Sequence, residues 1–137
     1  MKNLYILTVM LCFCLTSCNS SQKDEIDEIQ IGVQNPQIVC CGKENPQQNL
    51  PWLRDLIKKA NSDETLNYLG TIWLEEYKGE YIFVTDMKMG SGGLYYHFFD
   101  CSGKDIASEI EDSFLEGLST RLNVIIYSNI SKILSNE

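Results

Sequence analysis

Residues 71–99 read TIWLEEYKGEYIFVTDMKMGSGGLYYHFF, and this stretch decides the fold. Its apolar residues are mostly aromatic or β-branched, the types that suit a pleated surface. Lys78-Gly79 and Gly90-Ser91-Gly92-Gly93 interrupt them with turn-forming residues. The pattern predicts three strands, over 71–77, 81–87 and 94–99, joined as an antiparallel meander. Side chains alternate across a strand, so Leu94, Tyr96 and Phe98 share one face while Tyr95, His97 and Phe99 share the other. Neither set is polar. One face therefore needs a helix and the other a second layer or a partner.

On the N-terminal side, Leu50, Leu53, Leu56, Ile57 and Ala60 fall at the spacing of one helical face. Pro51 stands where a first-turn proline costs nothing, and Asn49 is placed to cap, which predicts a helix over 50–60. Before it, Ile31, Val33, Ile38 and Val39 are interrupted by Gly32, Pro36, Gly42 and Pro46, and support only an extended segment or edge strand. On the C-terminal side, Asp100-Cys101-Ser102-Gly103 reads as a turn. Ile106, Ala107, Ile110, Phe114 and Leu118 then line one side of a helix, with Asp105, Glu109, Asp112 and Glu116 as an acidic stripe on the other. Residues 122–127, LNVIIY, read as a buried strand. The order helix, three strands, helix, strand gives an α+β fold in a single domain over 31–137.

The first eighteen residues read as an address. Lys2 precedes an apolar run over 4–15, the arrangement of an export signal. As a helix that run would rise only about 18 Å, against the roughly 30 Å of hydrocarbon that a spanning helix crosses. The run ends in Leu15-Thr16-Ser17-Cys18, which resembles the lipobox of bacterial lipoproteins. The resemblance implies a cleaved signal over 1–17 and a lipid anchor, with its palmitate, on the Cys18 thiol. It also implies an outer-membrane lipoprotein held to the membrane by that lipid. Residues 18–30 are then a polar, acidic tether. Within it, Gln22-Lys23-Asp24-Glu25 resembles the export tag of surface lipoproteins of the Bacteroidota, so the domain faces either the cell surface or the periplasm. Asn45-Pro46, Leu50-Pro51-Trp52-Leu53, the aromatic meander and the Asp-Cys-x-Gly turn are similar to small lipoproteins of the same group. That likeness covers roughly 40–105 and carries no activity with it.

The chain has 19 acidic residues against 11 basic ones, a formal charge of −8. Such a surface repels phosphate backbones, and the lysines and arginines form no stripe, so nucleic acid is not a partner. In an oxidising compartment the cysteines beyond Cys18 are expected to pair, Cys40 or Cys41 with Cys101. The same cysteines with His97 lack the spacings of a zinc site, and the acidic stripe lacks the loop pattern of a calcium site, so no metal or cofactor is expected. Glu75 and Glu76 point to opposite faces and cannot act together. Gly90-Ser91-Gly92-Gly93 has no lysine after it to make a phosphate loop. His97 is the only histidine, and a hydrolase would have to be built on it and nearby acids. The reading preferred is a non-enzymatic binding domain for a protein, peptide or glycan. Its expected surface is Trp73, Tyr77, Tyr81, Tyr95, His97 and Phe99. The remaining alternative is a structural subunit of an outer-membrane assembly.

Overall fold

A computed structural model describes residues 37–90 and 96–130. The signal, Cys18, the tether, Tyr95 and the start of the expected third strand lie outside them. Two strands occupy the decisive stretch as expected, β3 at Thr71–Tyr77 and β4 at Glu80–Thr85, and β5 is described at His97–Phe99. They follow a short hairpin, β1 at Val39–Cys40 and β2 at Lys43–Glu44, that forms its own two-stranded ladder. β6, at Val124–Ser128, pairs antiparallel with β3, and the main sheet runs β5-β4-β3-β6. The fold is α+β, as the pattern of elements predicts.

The hairpin turn explains why β3 and β4 meet so regularly. Lys78 and Gly79 both take positive φ, 53° and 83°, the conformation that matches strand twist. All residues from Ile72 to Tyr77 are then in register with Glu80 to Thr85. β4 ends two residues before the expected Met87, because Asp86 leaves the ladder and its carboxylate accepts the Thr71 N–H at 2.7 Å. Met87 still has no exposed surface and fills the core.

One face of the sheet carries Ile72, Leu74 and Phe83, and against it lies α2, Pro51–Ser62. Leu53 and Ile57 are fully buried there, each contributing about 1.5–3 kcal/mol of apolar burial. Pro51 sits in the first turn as expected, but Asn49 is not the cap. It closes the preceding single turn α1, Pro46–Asn49, and its side-chain amide donates to the Glu44 carbonyl at 2.7 Å. The helix instead starts from Leu50, whose carbonyl receives the Arg54 N–H at 3.0 Å.

The opposite face carries Ile82, Val84 and Phe98, and its second layer is the segment after β5. That segment is not the long helix its apolar spacing predicts. Ala107–Glu109 forms one 3₁₀ turn, Ile110 is extended, α3 spans Asp112–Leu115, and Gly117 at φ 68° breaks the chain before α4, Leu118–Arg121. Ile106, Ile110, Phe114 and Leu118 still reach the sheet, as successive contacts of an irregular arm. The acidic stripe dissolves with the helix. Asp105 accepts the Ala107 N–H at 2.8 Å, Glu109 pairs with Lys104 at 2.7 Å, and Asp112 and Glu116 stand exposed at the two ends of α3.

Candidate functional site

Two turns meet at one end of the sheet. The β3–β4 hairpin brings Tyr77 and Tyr81 to its tip, and the chain leaving β5 turns back through Asp100, Cys101, Ser102 and Gly103. Asp100 builds the second turn itself. Its Oδ1 accepts the Ser102 hydroxyl at 2.6 Å and the backbone N–H groups of Ser102 and Lys104 at 2.8 and 3.0 Å. The Ser102 hydroxyl first, and those N–H groups after it, hold the Asp100 carboxyl below its usual range, so it is a fixed anion.

Trp52 of α2 locks the turn from behind. Its indole N–H donates to the Cys101 carbonyl at 3.0 Å, and its ring stands edge-on to Phe83 with centroids 5.1 Å apart. Gly103, at φ 85°, lies flat on the indole; a Cβ there would stand 2.5 Å from the ring. Only glycine fits that position. A disulfide then joins Cys101 to Cys41 across 60 residues, with Cα atoms 5.6 Å apart. The sequence left Cys40 and Cys41 open as its partner. Cys40 is instead 2 % exposed in the core, and burial pushes its thiol up to about 11, which keeps it protonated and unreactive.

Between the two turns lies an open cleft of about 480 Å³. Ile82 and Ile106 contribute apolar surface, and Tyr77, Tyr81, Asp100 and Cys101 line it with them. Its far wall is latched by pairs that cross more than thirty residues. The Tyr77 hydroxyl donates to the Glu109 carbonyl at 3.1 Å and accepts the Glu111 N–H at 3.2 Å. Lys78 meets Glu111 at 2.6 Å, and that bond raises its affinity for its proton. A smaller hollow of about 300 Å³, edged by Leu66, Asp86, Lys88 and Ile130, lies at the other end of the sheet.

The described residues of the expected aromatic surface do not share one face. Tyr77 is roofed by Phe114, with ring centroids 4.8 Å apart, and Trp73 lies edge-on to Tyr96 on that same side of the sheet. Tyr81, His97 and Phe99 belong to the α2 side. His97 stacks on Phe99 with centroids 6.5 Å apart, and it is not among the cleft residues. Of the described members of the expected set, only Tyr77 and Tyr81 line the cleft. The cleft residues that sequence reasoning missed, Lys78, Glu80, Ile82, Asp100, Ser102 and Ile106, carry no motif. Only the readings of Lys78-Gly79 and Asp100–Gly103 as turns, and of Ile106 as an apolar contact, pointed toward any of them.

No family model, curated protein or solved structure matches the chain. Function must be argued from the cleft. Among the described residues, no three or more of His, Cys, Asp and Glu gather where they could hold a metal ion. No described helix is long and apolar enough to cross a membrane.

Proposed function

We propose that this chain is a lipid-anchored protein of the bacterial cell envelope whose folded domain binds a partner in the cleft beside the disulfide. The anchor rests on the lipobox-like Leu15-Thr16-Ser17-Cys18 behind an apolar run. The binding role rests on the cleft. It is concave, part apolar and part polar, and its two walls are held by a disulfide, an indole hydrogen bond and a latched tyrosine rather than by flexible contacts. A rigid concavity loses little entropy when it is filled, which suits a binding site better than a surface that must first order itself.

Two measurements test the two halves. Labelled palmitate should enter the parent chain and be absent from Cys18→Ser; label retained in that variant removes the anchor. For the cleft, amide shifts should be followed by NMR while short peptides and neutral oligosaccharides are added to the intact chain in nonionic detergent. Saturable shifts should gather on Tyr81, Ile82, Asp100, Ser102 and Ile106. Shifts confined to the hollow around Leu66 and Ile130, or none with any probe, would refute the cleft as the seat.

A further inference from the structure

We infer that the cleft takes a basic side chain, a lysine or arginine of a polypeptide partner. The inference rests on the cleft being the binding seat, and charge decides it. Lys78 lies on the cleft but is engaged by Glu111 at 2.6 Å, and Glu109 is neutralised by Lys104 at 2.7 Å. Glu80 remains, with no ion-pair partner among the described residues, and Asp100 shares the one charge of Lys104 with Glu109. The three hydrogen bonds that order Asp100 all fall on Oδ1, so its second oxygen has no part in holding the turn. The unbalanced charge of the cleft is negative.

The aromatic rings stand apart from this charge. Lys78 sits over the Tyr77 ring, 4.9 Å from its centroid, while Phe114 covers that ring from another side. Tyr77 is thus already occupied. Tyr81 is exposed, but its side chain belongs to the α2 side of the sheet, the face opposite to that of the adjacent Glu80. The Glu80 and Asp100 carboxylates attract an ammonium or guanidinium group through charge and hydrogen bonding. The apolar stem of the same side chain suits Ile82 and Ile106. A neutral sugar would leave the excess negative charge without a counter-charge. An acidic segment would be repelled.

The test uses defined probes on the intact chain in nonionic detergent: tetra-arginine, tetra-lysine, tetra-glutamate and maltohexaose, with amide shifts at Tyr81, Asp100 and Ser102 as the readout. The basic peptides should bind saturably, and more weakly as salt rises from 20 to 300 mM, since the attraction is screened. Glu80→Gln should weaken them about two- to fivefold, the range of one exposed charge pair. Maltohexaose or tetra-glutamate binding at the same amides as tightly as the basic peptides would overturn the inference and leave the cleft a binding site. Silence from all four probes would overturn both.

Discussion

Reduction of the Cys41–Cys101 disulfide should lower the melting temperature by roughly 15 °C or more, and Cys101→Ser should do the same without reductant. The size follows from the loop. Sixty residues separate the two cysteines, and closing a loop of that length restricts the unfolded chain by about 4 kcal/mol on the chain-entropy account. Each kcal/mol moves the midpoint of a domain this size by roughly 4–8 °C. The geometry adds to the loss, because the bond anchors the turn on which Trp52 rests its indole N–H. Reductant should add little to Cys101→Ser. Cys40 provides an internal control: buried and held protonated, it should resist alkylation in the native state, reduced or not, and react only on unfolding. A reduced parent that melts within a few degrees of the oxidised one would mean that the core, not the bridge, holds the N-terminal hairpin.

The sheet was legible because its information is local. β-branched and aromatic residues set β3 and β4, and Lys78-Gly79 set the turn between them. α2 was legible for the same reason, since Leu53, Ile57 and Ala60 repeat at helical spacing along one stretch. The arm after β5 was not. Apolar residues four apart at Ile106, Ile110, Phe114 and Leu118 fit a helix, and they fit equally an arm that touches the sheet once per turn. What separates the two is Gly117 in a left-handed conformation and Ile110 extended, and neither leaves a periodic trace.

The cleft was illegible for a deeper reason. Its walls come together through bonds between residues thirty to sixty positions apart: Tyr77 with Glu109, Trp52 with Cys101, Cys41 with Cys101. Spacing along the chain carries no record of such pairs. Even the choice between Cys40 and Cys41 required the fold. β1 is only two residues long, too short for alternation to say which thiol faces inward. In the fold Cys40 belongs to the strand, while Cys41 turns out at φ 54° toward the disulfide.

At the other end of the sheet, Asn129→Ala should destabilise the domain by about 3–5 kcal/mol, although it removes one small polar side chain. Asn129 is 1 % exposed. Its Oδ1 accepts the Gly70 N–H at 2.8 Å, and its Nδ2 donates to the Tyr68 and Ala60 carbonyls at 3.0 and 3.3 Å. One amide thereby joins the end of α2, the loop before β3 and the end of β6. Removing it takes from the Gly70 N–H and the Tyr68 carbonyl the amide that meets them, and each such group costs about 1–3 kcal/mol. Asn49→Ala makes the comparison, because the same side chain there donates one bond to Glu44 at an exposed position and should cost under about 1 kcal/mol. Urea denaturation of both variants checks the difference. A loss for Asn129→Ala no larger than that for Asn49→Ala would mean that water reaches the site and the three segments are pinned by packing alone. With the larger loss, binding at the cleft should persist below the lowered midpoint, since none of the residues around Asn129 lines it.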